Sequence, residues 1–378
     1  MDYERLKETY GDFRFPAVNI IVEGKSFGDC QRQLILSDIR VELSCKEEAS
    51  QAVFSIYNCT DEETGSYCME VLKPYILLGS LVVVEAGYGE RLTEVFRGFI
   101  ARVEFVNEEN GPCVEVTAMD AKGIMMSNCC AGVLESKRYS DAVKEIFSKP
   151  PYQEMKSRSI IQKLEIQKTP DQKDGGGKGS GSIPIDRVYE SDYEFVVKAA
   201  RRFHYEFFVR KGTVYFREAK PRQPVQGSLS PGKGIYSYRI GYDIRGQVQK
   251  VEIRSMDDRE GKLIFGRKKF KNRLSQGNKA GALISQTEKV YIRPAVCDAR
   301  SAVNRAEGFI DQIADRYGSL ECECVGIPEL EPGRCLEITD LSEPADNVFY
   351  ITEVQHLMDS AHGYRTRIKG TAGSLKDG

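Results

Sequence analysis

Eleven cysteines, three histidines and one glycine-rich run are the places where this 378-residue chain could carry chemistry. Zinc and thiol–disulfide sites need cysteines and histidines at short, regular spacing. Cys129-Cys130 and Cys322-x-Cys324 are the only close cysteine pairs and neither is C-x-x-C, while His204, His356 and His362 lie far from most of the cysteines. Cys322 and Cys324, two apart on a strand, would share one face and behave as small apolar residues. His356 and His362 flank Leu357-Met358-Asp359-Ser360-Ala361, which reads as a hairpin connection, so a structural or turn role is expected; a metal there would need ligands from elsewhere. Asp174-Gly175-Gly176-Gly177-Lys178-Gly179-Ser180 invites a phosphate-binding reading, but it lacks the G-x-x-x-x-G-K-[ST] order and no strand-to-helix junction frames it, so the polar run 171–182 is expected to be a surface loop. No G-x-S-x-G, H-E-x-x-H or paired-carboxylate pattern stands out. We therefore assign no catalytic residue, no metal and no cofactor.

Charge is the second signal. Eight basic residues fall between Arg259 and Lys279, with Phe265 and Phe270 among them, and Arg267, Lys268, Lys269, Lys271 and Arg273 form the densest part. Clustered cations with aromatics suit a nucleic acid, and equally a polyanionic or protein partner. The net charge of −2 and the lack of a nucleic-acid motif favour a basic loop or partner contact. Residues 1–120 hold 11 Lys and Arg against 22 Asp and Glu, and the remainder holds 43 against 34. An acidic first part and a basic second part would suit head-to-tail contacts in an assembly, or simply be two different solvated surfaces.

The elements that must position these residues are mostly strands. At 41% hydrophobic and 29% charged the chain is globular in composition, and its length fits two or three domains. No run of about 18 apolar residues offers a membrane span, and no signal peptide is visible, so synthesis and folding in a cytoplasm are expected. Between Val18 and Asp120, short alternating runs such as Ala52–Tyr57, Leu81–Val84, Val95–Val103 and Val114–Thr117 predict a barrel or sandwich. Gly98 within one run would permit a bulge or a close backbone approach. Ser140 is expected to begin a short helix that Pro150-Pro151 stops. From about Ser228 the β pattern returns around one long helix, with Asp298 as N-cap and Gly318 as a left-handed stop. The expected fold is α+β, mainly β: two similar β-barrels, at 1–125 and 223–378, around a smaller mixed α/β domain at 126–222.

The most defined local unit lies in that middle domain. Ser191 and Glu194 form a capping box, Phe195, Val196, Ala199, Ala200 and Phe203 make one apolar helix face, and His204 would take the left-handed cap. Tyr205–Val209 and Thr213–Arg217 then predict a hairpin turning at Lys211-Gly212.

Three stretches carry a resemblance: Ser191-Asp192-Tyr193-Glu194-Phe195 with its helix and hairpin; the long helix followed by Gly326-Ile327-Pro328 and Pro332-Gly333; and Tyr350-Ile351-Thr352-Glu353-Val354-Gln355-His356, closed by Gly363-Tyr364-Arg365-Thr366. In this order the chain resembles the phage late-control gene D family, hub proteins of contractile tails that are similar to the N-terminal hub part of the type VI spike protein VgrG. The resemblance departs at His204, where the family usually has Gly. It implies two β-barrel tube domains and a homotrimer whose six barrels continue the tail tube. Its implied partners are the tube protein, a separate spike protein and other baseplate proteins, with nucleic acid only as passing cargo. Its implied place is a virion tail or contractile particle after synthesis in a bacterial cytoplasm. The competing expectations are a cell-wall glycan hydrolase and a nucleic-acid-binding protein using the basic segment.

Overall fold

The computed structural model describes residues 3–29, 34–108, 111–170, 185–219, 223–257, 261–270, 273–292, 296 and 298–376. The glycine-rich run 174–180, Arg259 and Lys271 lie outside the described residues.

After helix α1 (Tyr3–Thr9), the first β region comprises β1 (Pro16–Val22), β2 (Lys25–Ser26), β3 (Ile35–Ser44), β4 (Gln51–Tyr57), β5 (Leu81–Tyr88), β6 (Arg91–Glu108) and β7 (Gly111–Met119), with α2 (Met69–Ile76) between β4 and β5. The middle holds α3 (Lys122–Met125), β8 (Cys130–Leu134), α4 (Tyr139–Ile146), α5 (Pro150–Ser157), β9 (Lys163–Ile166), β10 (Ile185–Glu190), α6 (Asp192–Phe203), β11 (Tyr205–Arg210) and β12 (Thr213–Glu218). The second β region runs β13 (Val225–Pro231), β14 (Gly234–Tyr242), β15 (Lys250–Asp257), β16 (Lys262–Lys269), α7 (Lys279–Ile284), β17 (Glu288–Ile292), α8 (Ala299–Ala314), β18 (Gly318–Val325), β19 (Cys335–Ile338), β20 (Asn347–Asp359) and β21 (Gly363–Ala372).

Both β regions follow one plan. The first is ordered β1-β5-β6-β7-β4-β3 and the second β13-β19-β20-β21-β18-β14, so the strands correspond in order; the outermost pair differs in sense, β1 lying antiparallel to β5 and β13 parallel to β19. The second barrel closes through β13–β14 and β19–β20 pairing, whereas β1 and β3 are not paired. Antiparallel pairing of β20 with β3, from Glu353↔Ser44 to Met358↔Ile39, fuses the two into a single 13-stranded sheet. Alternate residues such as Ala52, Phe54 and Ile56, and Leu320, Cys322 and Cys324, point into one continuous core. Cys322 and Cys324 are thus core residues, and burial pushes the Cys322 thiol up to about 12. At Gly98 a Cβ would meet the Met119 carbonyl, the close approach its place in a strand suggested.

The mixed middle has its own core, in which Phe195, Val196 and Ala199 of α6 pack on Val143, Ile146 and Phe147 and on Phe207 and Phe216 of the hairpin. Three local expectations change. Pro150 and Pro151 do not merely stop α4; they open α5, where a missing N–H costs nothing. α8 ends at Ala314 with Asp315 right-handed, and Gly318 instead begins β18, where a Cβ would press on Ala372. The helix inserted in the second barrel brings further structure: α8 packs on the sheet β16-β15-β17 around Val251, Ile253, Ala306 and Ile310, a third core.

Candidate functional site

The residues of the three sequence stretches meet at the joints between these bodies.

At the first joint, the capping box is formed: Ser191 Oγ accepts from Glu194 N, and the Glu194 carboxylate accepts from Ser191 N at 2.7 Å. Asp192, the next residue, is fully buried. Its carboxylate takes Lys149 Nζ and Arg187 at 2.7 Å each, the Tyr152 hydroxyl at 2.7 Å and Asn128 Nδ2 at 2.5 Å. Burial opposes its ionisation, but hydrogen bonds from Lys149, Asn128 and Tyr152 outweigh it and hold the carboxyl below its ordinary range. One aspartate therefore binds α5, β10, α6 and the segment before β8. Tyr193 faces the other way and donates to the Glu47 carbonyl in the β3–β4 loop, and Arg201 pairs with the Glu47 carboxylate. Phe195 is buried against Tyr139. The Tyr193 and Arg201 contacts with Glu47 tie the middle domain to the first barrel, while those of Asp192 and Phe195 hold the middle domain itself together.

The hairpin makes the second joint. Lys211 and Gly212 both have positive φ, at 47° and 71°, the two-residue turn that matches strand twist. Phe208 stacks on Tyr215, and Arg217 pairs with Glu206 at 2.7 Å. The Tyr350 hydroxyl of β20 donates to Glu206 at 2.5 Å, and Arg217 donates to the Gly333 carbonyl at 2.9 Å. Gly333 has φ 78°, and a Cβ there would lie 2.8 Å from Arg217 and 3.0 Å from Phe208. Arg210 and Lys211 both pair with Glu331. The hairpin thus docks the middle domain on the second barrel.

The third joint lies between the barrels. Gly326 packs flat on the Tyr364 ring, where a Cβ would be 2.2 Å from the ring carbon. Its carbonyl accepts from Tyr88 of β5 at 2.9 Å, and Tyr10, Phe13, Tyr88 and Tyr364 form an aromatic chain across the joint. Buried Pro328 lies between Ile327, whose N–H donates to Thr366 Oγ1, and Glu329, which accepts from Tyr10. His356 is fully buried in mid-strand rather than in a turn; its Nδ1 lies 2.9 Å from the Tyr364 hydroxyl and 3.4 Å from Thr366 Oγ1. Burial, with a smaller push from Lys211, takes its pKa down to about 3, so the imidazole is neutral. The turn is made by Asp359, which accepts from the Ala361 and His362 amides, with Gly363 at φ 68° beside Pro16 of β1.

The basic segment is dispersed. Arg267 shares the Glu252 carboxylate with Arg254 on the outer sheet face, Lys268 pairs with Glu307 on α8, Arg273 reaches Glu343 and the Lys376 carbonyl, and Lys269 is exposed. Among the described residues no His, Cys, Asp and Glu group could hold a metal, and no helix is long and apolar enough to cross a membrane.

Sequence reasoning missed the partners of each joint: Lys149, Arg187 and Asn128 around Asp192, Glu206 and Arg217 under the hairpin, Tyr10 and Tyr88 beneath Gly326. Each is an ordinary polar or aromatic residue, and several, such as Asn128 and Lys149 with Asp192 or Tyr88 with Gly326, meet their partners only across tens or hundreds of residues.

The fold is shared with phage tail proteins and with a component of a type VI secretion system. The tail protein from Neisseria meningitidis MC58 superimposes with a TM-score of 0.64 at 14% identity over 94% of this chain and 96% of its own. The 43 kDa tail protein of prophage MuSo2 from Shewanella oneidensis gives 0.67 at 13% identity, over 95% and 98%. An E. coli component of the type VI secretion system, described as structurally similar to the T4 tail proteins gp27 and gp5, gives 0.57 at 8% identity, over 95% of this chain and 79% of its own. In sequence, residues 70–360 match the family model described as the Alg8 N-terminal domain, and the chain belongs to that family. No curated protein matches it.

Proposed function

We propose that the protein is a structural baseplate hub of a contractile phage tail, tailocin or related injection system. The observation that carries this is the duplicated barrel: two units of one strand order lie side by side in a single sheet, with the middle domain docked on them through contacts such as the Arg210–Glu331 ion pair and the close-packed Gly333. Three copies would set six barrels in a ring that continues a sixfold tube above and meets a threefold spike below. Tail proteins of the same fold in Neisseria and Shewanella support the reading. The work is mechanical, and the candidate residues from Ser191 to Thr366 act by keeping the bodies rigid rather than by touching a substrate. The tube protein, the spike and neighbouring baseplate proteins are the partners, met after synthesis in a bacterial cytoplasm. The working divisions are 1–125, 126–222 and 223–378, with 243–317 inserted in the last.

Light scattering across a concentration series tests this. The expected mass is three chains of 42.5 kDa. A monomer at every concentration, or turnover of peptidoglycan by the purified protein, would overturn it.

A further inference from the structure

The two barrels correspond residue by residue where they matter for assembly. Phe99 of β6 is the last residue paired to β5 (with Leu81) and the first paired to β7 (with Met119). Tyr350 of β20 has the same place, between Cys335 of β19 and Thr371 of β21. Both strands then step out of register at the same point, so that Ile100 is followed by Arg102↔Thr117 and Ile351 by Glu353↔Lys369. Arg102–Asn107 is therefore the counterpart of Glu353–Met358, the stretch of β20 that pairs with β3. Counting across the sheets, Arg40 and Val41 of β3, opposite Val53 and Ala52, correspond to Arg239 and Ile240 of β14, opposite Glu321 and Leu320.

Inside one chain this correspondence is used once, in the β20–β3 joint. The complementary halves are left over: β6 beyond Phe99 has β7 on one edge only, and β14 beyond Ile235 has β18 on one edge only, among the described residues. Such edges are templates for another chain. We propose that β6 of one copy pairs antiparallel with β14 of the next, repeating the β20–β3 joint between chains with Phe105 opposite Ile240, Val106 opposite Arg239 and Asn107 opposite Tyr238. The inference rests on the ring reading above and assigns that ring's intermolecular strands.

Two further observations favour a second copy as the occupant. His356, which occupies the position of Phe105, is 0% exposed, whereas Phe105 is 50% exposed and Tyr238 is 46% exposed, large apolar surfaces where the intrachain joint has a packed core. Charge is complementary as well. Arg239 would lie diagonally between Glu104 and Glu108, within reach across an antiparallel pair, and the acidic first 120 residues would face the basic remainder. A head-to-tail contact of this kind is heterologous and closes only as a ring or grows as a filament.

The test is oxidation of an Asn107→Cys/Tyr238→Cys double variant, since directly opposed residues of an antiparallel pair lie at disulfide distance. The expected result is a reducible ladder ending at three linked chains, absent from each single variant and from the off-register Asn107→Cys/Gly241→Cys pair. Phe105→Asp is expected to release monomers with an unchanged circular dichroism spectrum. A wild-type trimer with no Asn107–Tyr238 cross-link, or a trimer that survives Phe105→Asp, would overturn the strand assignment and leave the ring reading standing. A monomeric wild-type chain would overturn both.

Discussion

Gly308 of α8 lies directly against His204: a Cβ on Gly308 would sit 2.7 Å from the His204 Cβ. His204 closes α6 in the left-handed conformation, φ 57° and ψ 42°, where the resembling family usually has Gly. A side chain at this cap thus coexists with a missing one on the facing helix. We expect Gly308→Ala to destabilise the protein by about 1–3 kcal/mol through overpacking. In a His204→Gly background the same change should become neutral or stabilising by up to about 1 kcal/mol, because Ala is the better helix former. Urea denaturation of the four-member cycle measures this reversal of sign.

Asp192→Asn removes the carboxylate paired with buried Arg187 in the middle domain while keeping the side chain's size. Leaving that guanidinium without its counter-ion should cost about 3–5 kcal/mol. The depressed carboxyl of Asp192 also sets an acid limit. Its contribution is present above the unfolded value of about 3.9 and is lost as pH falls through the lower folded value. Denaturation midpoints of wild type and variant should therefore converge below that range.

Gly326→Ala would drive a methyl into the Tyr364 ring and separate the ring from Tyr88. The expected loss is about 1–3 kcal/mol. A fall of several degrees in Tm, with no change in secondary structure by circular dichroism, is the outcome to look for.

His356 gives the opposite pH test from a surface histidine. Its folded pKa of about 3 lies below the unfolded value of about 6.5, so the unfolded chain binds a proton that the folded chain refuses. Stability should decline by about 1.4 kcal/mol per pH unit as pH falls from 6.5 toward 3. His356→Gln should flatten that slope, read from urea midpoints between pH 4 and 7.

The parts of the fold that were legible in the sequence are those set by neighbours along the chain. Capping at Ser191 and Asp298, the hairpin turn at Lys211-Gly212 and the apolar alternation of β4 and β7 all depend on residues a few positions apart, and all are present. Pro150-Pro151 reads as a stop for α4 and also opens α5, because a proline that ends one helix is equally suited to start the next. The roles of Asp192, Gly333 and Gly326 could be matched to a family pattern but not explained, since Lys149, Arg217 and Tyr364 reach them across tens or hundreds of residues. The duplication was visible as two β regions. Its register was not, because Phe99 and Tyr350, or Phe105 and His356, differ in type and correspond only through their hydrogen-bonded partners.

Electron microscopy of the purified protein tests the hub reading most directly. Class averages should show a ring of three chains in which six barrels of equal size surround an open channel, the middle and inserted domains projecting outside in threefold array. Averages showing isolated chains, or an assembly in which the barrels do not line a common channel, would contradict it.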